Sequence, residues 1–138
     1  MFQVTTYMAE LRDSFEAQML NALPGTRVNG DQTRRVCNST NILFPNVDGQ
    51  ALVAQLDARG VRCSQSSACT SMRPEPSYVL RAMGLSSDEA YSSVRFSLAE
   101  TNSAREAGNA VEVVVEAVRR LQSLGSTVRA GAARQGAV

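Results

Sequence analysis

Histidine and lysine are both missing from this chain, and all fourteen of its basic residues are arginines. Without imidazole, a nucleophile here lacks the side chain that most often serves as its base. Without a lysine amine, this stretch of chain cannot form a Schiff base with a carbonyl group. Cysteine is scarce: there are three, Cys37, Cys63 and Cys69, with no C-x-x-C pair. An odd count at that spacing argues against a disulfide framework and against a thiolate zinc site, and no metal site is expected. Fourteen basic against thirteen acidic residues give a net charge of +1. Neither nucleic acid nor an anionic membrane surface is therefore an expected partner. No apolar run approaches the length of a membrane span. No basic segment precedes an apolar run at the N-terminus, as a secretory signal requires. The expected setting is the cytoplasm, with free thiols.

What is present suits one domain. The chain has 138 residues, 43% of them hydrophobic, enough to bury a real core. Met8, Leu11, Phe15, Met19 and Ala22 recur at helical spacing until Pro24-Gly25 stops the pattern. Thr26 to Asn29 reads as a short strand, and Asn41 to Phe44, bounded by Pro45, as another. Asp48 can cap a helix carrying Leu52, Val53 and Leu56, with Gly60 at its C′ position. Val61 to Cys63 reads as a strand. A loop of small polar residues follows, and Pro76 can open a helix that runs through Met83 to Gly84.

Ser86 and Glu89 form a capping box for one more turn. Ser93 to Leu98 alternates polar and apolar, as a half-buried strand does. Ser103 and Glu106 form a second capping box. It opens the longest helix, whose apolar face is Ala107, Val111, Val114, Val118 and Leu121 and whose end is expected at Gly125. The domain is thus expected over 1–125, with 126–138 a flexible tail lacking periodicity.

Two residues invite a chemical reading. Cys69 stands in the run Ser67-Ala68-Cys69-Thr70-Ser71, among hydroxyls, with Arg73 four residues on. A nearby cation favours the thiolate, which is the nucleophilic form; the plainer reading is an incidental loop thiol. Arg95 lies between Val94 and Phe96 on the predicted strand. If those two face the core, Arg95 faces the other way. There it is either ordinary solvated surface or a planar fork able to take a carboxylate with two hydrogen bonds. Cys37 and Cys63 read as packing thiols. Asn38 and Asn41 read as turn and strand-opening residues. Arg27, Arg34 and Arg35 read as a small, solvated basic cluster.

The Ser67–Ser71 run, Glu75-Pro76-Ser77-Tyr78-Val79-Leu80 and Ser93-Val94-Arg95-Phe96-Ser97-Leu98 together resemble the C-terminal part of a cysteine desulfurase. The resemblance extends from about Leu11 to Leu124 and does not cover a whole enzyme. It implies an α+β fold: a short, largely antiparallel sheet packed with helices, like the C-terminal domain of fold-type I pyridoxal-phosphate enzymes. It implies that Cys69 is the nucleophile that becomes a persulfide and that Arg95 binds the substrate carboxylate, with Asn38 a further substrate contact. Departures from the family pattern are Ser66 in place of a glycine, Met72-Arg73-Pro74 before Glu75, and Ala99-Glu100 after Leu98.

In the family a separate N-terminal half supplies the lysine, an aspartate and a histidine that bind pyridoxal phosphate. With neither lysine nor histidine, this chain is expected to bind no cofactor on its own and to be inactive alone. Three roles stay open: part of a split desulfurase completed by a cofactor-binding chain, a sulfur carrier or binding module, and an inactive truncated remnant. Expected partners are such a cofactor-binding chain, a sulfur acceptor or iron–sulfur scaffold protein, and a second copy of this chain. The expected homodimer rests on Leu11, Phe15 and Met19, a stripe that loss of the large domain would uncover. The rival is that the first helix folds back over the domain's own sheet and hides the stripe.

Overall fold

The structure, a computed structural model, describes residues 2–30, 38–65, 68–70, 73–75, 84–99 and 101–136. The first helix, α1 (Phe2–Ala22), precedes β1 (Arg27–Val28), β2 (Ser39–Leu43) and α2 (Gly49–Ala58). Then come β3 (Cys63–Gln65), β4 (Ala68–Thr70) and β5 (Arg73–Glu75), followed by α3 (Ser87–Tyr91), β6 (Ser93–Ser97) and α4 (Ala104–Gly136). A four-stranded sheet has the order β1-β2-β6-β3, and β4 and β5 form a separate two-stranded sheet. All described pairings are antiparallel. The fold is therefore α+β. Because β6 lies between β2 and β3 and opposes both, β2 and β3 run parallel, joined through α2 as a split βαβ unit.

Local chemistry sets the helix ends. Asp48 accepts hydrogen bonds from the N–H groups of Gln50 (3.0 Å) and Ala51 (3.2 Å), capping α2. Gly60 follows that helix at φ +82°, the left-handed conformation that ends it cheaply. Gly49 answers a different need. A Cβ there would stand 2.2 Å from the backbone oxygen of Tyr91, so only glycine lets α2 start this close to the sheet. The two capping boxes form as the sequence implies. Ser86 and Glu89 exchange bonds of 3.0 and 3.1 Å, and Ser103 and Glu106 exchange bonds of 3.2 and 3.1 Å. At the other end of α1, Arg119 donates to the carbonyl of Ala22 at 3.1 Å.

One face of the four-stranded sheet is apolar and covered. Ile42, Val94 and Phe96 project from it against Phe15 and Met19 of α1, Leu52 and Leu56 of α2, and Val111, Val114 and Val118 of α4. The Phe15 and Phe96 rings lie 5.2 Å apart and tilted, and Phe44 meets Phe96 edge-on at 6.1 Å. Alternation along the strands sends Ser39, Asn41, Ser93, Arg95, Ser97 and Ser64 to the opposite face. One residue is out of character on the apolar side. Thr40 is 2% exposed and its hydroxyl has no hydrogen-bond partner.

Several expectations change. The Leu11, Phe15 and Met19 stripe is buried, with 4%, 2% and 0% exposure, so the first helix covers its own sheet and offers no such stripe to a second copy. The third strand is Cys63–Gln65, two residues later than the apolar pattern suggests. Cys69 lies within a hairpin strand, where a loop was expected. Small polar residues give no apolar alternation to read there, whereas pairing across the turn needs only backbone groups. Gly125 does not end the last helix, which runs to Gly136 and takes in most of 126–138. A single glycine costs about 1 kcal/mol against alanine in a helix interior, and its alanine- and arginine-rich surroundings favour helix. Cys37, Arg34 and Arg35, and the helix expected over Pro76–Met83, lie outside the described residues. Of the three arginines read as a basic cluster, only Arg27 is described, and it pairs with Glu89.

Candidate functional site

The polar face of the sheet centres on Arg95. Its strand, β6, is central because both β2 and β3 need it as a partner, so Arg95 has sheet on either side. Opposite it stand Asn41 on β2 and Ser64 on β3. Directly opposed side chains in antiparallel ladders start about 5 Å apart. Asn29 extends the row through β1, since its N–H donates to the carbonyl of Asn41 at 2.8 Å. The row reads Asn29, just past β1, then Asn41, Arg95 and Ser64 on β2, β6 and β3. Arg95 is exposed, while Asn29, Asn41 and Ser64 are half-buried.

Four other described arginines commit their charge to carboxylates. Arg27 pairs with Glu89, Arg59 and Arg120 pair with Glu116, and Arg12 pairs with Asp13 and Glu16. Among the described residues no carboxylate lies within ion-pair distance of Arg95. A guanidinium on a polar sheet face, flanked by an amide and a hydroxyl, can receive a planar anion with two oxygens.

Behind Arg95 the polar face is tied together. Asn29 donates through its side-chain amide to Asn41 Oδ1 at 2.8 Å and to Ser93 Oγ at 3.0 Å. Ser93, fully buried, donates in turn to the carbonyl of Glu89 at 2.8 Å. Hydrogen bonds from Ser86, its capping partner, hold the Glu89 carboxyl below its usual range, with a smaller contribution from Arg27. β1, β2, α3 and β6 are thus linked through side chains on this one face.

Asn38 occupies a turn before β2, where its carbonyl accepts from the N–H of Leu98 at 2.8 Å. It stands three residues from Asn41 along the chain, about 10 Å in strand geometry. The structure does not bring it into the Arg95 row. Asn41, which the sequence suggested only as a strand-opening residue, takes the position beside Arg95.

The two described cysteines occupy different settings. Cys63 pairs with Phe96 on the apolar face and packs at the margin of the core. Burial, and then the negative charge of Asp57, push its thiol up to about 11, so it stays protonated at neutral pH. Cys69 sits mid-strand in the β4–β5 hairpin, opposite Pro74. Proline has no N–H, so that pair cannot exchange two backbone hydrogen bonds. Cys69 follows Ser64 of the Arg95 row by five residues, at most about 18 Å of extended chain.

A cavity of about 450 Å³ opens between Phe15, Val61, Arg62, Leu98, Asn102 and Ala110, past the end of β6 and away from the polar row. Among the described residues no cluster of histidine, cysteine, aspartate or glutamate could hold a metal ion. None of their helices is long and apolar enough to cross a membrane.

The α+β fold, a four-stranded antiparallel sheet with helices on one face, matches solved NifS-like structures. The family model described as "Aminotransferase class-V" matches residues 1–109. The chain belongs to that family. Among curated proteins it is similar to a cysteine desulfurase of Trichormus azollae, 43% identical over 114 residues. That alignment takes in 83% of this chain and 28% of the relative. Among solved structures, a NifS-like protein superposes with a TM-score of 0.71 at 23% identity, over 86% of this chain and 29% of the other. A NifS-like protein from Rickettsia africae ESF-5 gives 0.64 at 28% identity, again over 86% and 29%. The chain thus spans under a third of these relatives' length. Cysteine desulfurases depend on pyridoxal phosphate.

Proposed function

We propose that this chain is the sulfur-handling domain of a cysteine desulfurase, in which Arg95 holds the substrate carboxylate and Cys69 receives the sulfur. One observation carries the reading. In a chain of cysteine desulfurase ancestry, an exposed arginine with no carboxylate partner among the described residues stands at the centre of the sheet's polar face. The Cys69 hairpin follows Ser64 of that polar row by five residues. A two-stranded hairpin on its own is marginally stable in water, which suits a residue that must both approach a substrate and pass sulfur on.

The step assigned to Cys69 forms one bond and breaks one. Its thiolate bonds to the substrate sulfur, the carbon–sulfur bond breaks, and the electron pair goes to carbon. That pair needs an electron sink, the chemistry pyridoxal phosphate supplies. The residues present do not fit the cofactor, because none of the 138 is a lysine and no amine is available for a Schiff base. The sink must come from a polypeptide stretch that carries one. The lack of lysine also favours a second reading, that of a sulfur carrier. Here the Cys69 thiolate attacks the outer sulfur of a donor persulfide and the donor's thiolate leaves, with no sink required. Either role calls for a sulfur acceptor downstream, such as an iron–sulfur scaffold protein.

The test uses the whole chain, a complete cysteine desulfurase and L-cysteine, with peptide mass spectrometry as the readout. Gain of one sulfur atom on Cys69, and none in Cys69→Ser, supports sulfur handling. Sulfur that appears equally on Cys37 or Cys63, or on none of the three, rejects it. Sulfide released from cysteine by the pure chain alone would show that the cofactor argument is mistaken.

A further inference from the structure

The cavity past the end of β6 opens where a strand ladder stops. β3 and β6 pair as far as Cys63 and Phe96, whereas β2 and β6 pair one residue further, to Ser39 and Ser97. Val61 and Arg62 line the cavity from the α2–β3 connection, Phe15 from α1, Phe96 from β6, and Ala107 and Ala110 from α4. Further along α4 the core positions are Val111, Val114 and Val118. Alanine is shorter than valine, so the space between helix and strands stays open near the start of α4. Phe15 and Phe96 are each 2% exposed, which makes the inner lining apolar and poorly hydrated. The volume, about 450 Å³, falls in the range of about 300–1,000 Å³ usual for small-molecule pockets.

Two charged residues line this cavity, Arg62 and Glu106. Glu106 is already engaged. Its carboxylate accepts from the Ser103 N–H at 3.2 Å and from the Asn102 side-chain amide at 3.5 Å. Arg62 is exposed, and among the described residues no carboxylate lies within ion-pair distance of it. The group the cavity lacks is therefore an anion, held beside an apolar body. Glu106 on the same lining limits the charge of that anion. One negative charge balances Arg62, and a second is repelled by Glu106.

We propose that this cavity binds a small monocarboxylate with an apolar body. Arg62 takes the carboxylate with its guanidinium fork. The body lies against Phe15, Phe96 and Ala110 and leaves water as it does so. The site lies away from the polar row and depends on neither Arg95 nor Cys69.

The experiment is an NMR titration of the whole ¹⁵N-labelled chain with octanoate. It follows the Arg62 Nε–H signal and the backbone amides of Ala99, Thr101 and Ala107, with the Arg95 Nε–H signal as a monitor of the polar row. The expected result is a saturable shift of the cavity signals while Arg95 stays still. Acetate, which has the charge without the body, should bind more than about ten-fold more weakly. 1-Octanol, which has the body without the charge, should bind about ten-fold more weakly, as should octanoate to Arg62→Gln, the size of one hydrogen bond to a charged group. Octyl phosphate should bind more weakly than octanoate. Ala110→Leu fills the cavity and leaves Arg62 in place. It should abolish the saturable shift and melt no lower than the unaltered chain.

Equal binding of 1-octanol and octanoate overturns the proposal, because the cavity then selects no charge. Octanoate binding undiminished in Arg62→Gln overturns it as well, and so does binding undiminished in Ala110→Leu. A response confined to Arg95 places the carboxylate on the polar row and overturns it too. Should Ala110→Leu fail to fold, Arg62→Gln and the 1-octanol comparison decide the matter, since the Arg62 side chain is exposed and its loss spares the core.

Discussion

The two faces of the four-stranded sheet are built from the same strands and answer to different demands. On one, Ile42, Val94 and Phe96 meet three helices, and what matters is shape and exclusion of water. On the other, the same β2 and β6 present Asn41, Arg95, Ser93 and Ser97, and what matters is direction: which atom donates, and toward what. Strand alternation makes this division possible, since a shift of one residue would exchange the two sets. The packed face therefore locks the register on which the polar face depends. Stability should follow the first face and binding of the substrate carboxylate the second.

The largest effect is expected from Phe15→Asp. It removes a ring packed on Phe96 and buries a charge in its place, and should cost more than about 3 kcal/mol, leaving unfolded or aggregated protein. Chemical denaturation or its failure to give a folded baseline measures this. A soluble, folded Phe15→Asp chain would mean that α1 does not lie over the sheet.

Smaller, because the group is half-exposed, is the effect of ionising Cys63 on the same packed face. Its thiol is raised from an ordinary 9.0 to about 11 in the folded chain. The folded state thus holds the proton more tightly than the unfolded state does. The stabilisation is fully present below pH 9 and is lost as pH rises toward 11. Stability curves for the chain and for Cys63→Ala should diverge over that window and run parallel below it. In the same vein, brief iodoacetamide treatment near neutral pH should label Cys69 before Cys63. The reverse order would contradict the contrast drawn between their settings.

Thr40→Val corrects the one polar intrusion on the apolar face. Its buried hydroxyl has no partner, so removing it should leave stability unchanged or raise it by about 1 kcal/mol. A clear loss in a thermal melt would reveal a hydrogen bond that the structure lacks.

Arg95→Gln should have the smallest effect on stability, within about 0.5 kcal/mol, because the side chain is exposed and pairs with no carboxylate among the described residues. It should nonetheless abolish binding of the amino acid S-methyl-L-cysteine. A variant that melts well below the unaltered chain, or that still binds the amino acid, would break the division of labour between the faces.

The packed face was largely legible in the sequence and the polar face was not. Helical spacing at Leu11, Phe15 and Met19 marked a buried stripe, but periodicity says only that a face is covered, never by what. Capping pairs such as Ser86 with Glu89 act over three residues, so they were readable directly. The alternation Val94-Arg95-Phe96 placed Arg95 away from the core. It could not place Asn41 beside it, because their pairing spans more than fifty residues and is fixed by sheet register. The β4–β5 hairpin left no apolar alternation, since β4 is the small residues Ala68-Cys69-Thr70 and β5 is Arg73-Pro74-Glu75.

The position of β6 has a kinetic consequence. Late in the chain yet central in the sheet, it must slot between two strands made much earlier. Among the described residues β3 has no other partner in this sheet, and β2 gains only the two-residue β1 without it. Native pairing therefore has to wait while the ribosome delivers the residues up to Ser97, and the early segments are held only by local helix formation until then. Contacts this distant in sequence slow folding because the loop must close before any reward is collected. The same insertion that completes the sheet delivers Arg95 to its neighbours, so the polar row and the folded state come into being in a single event.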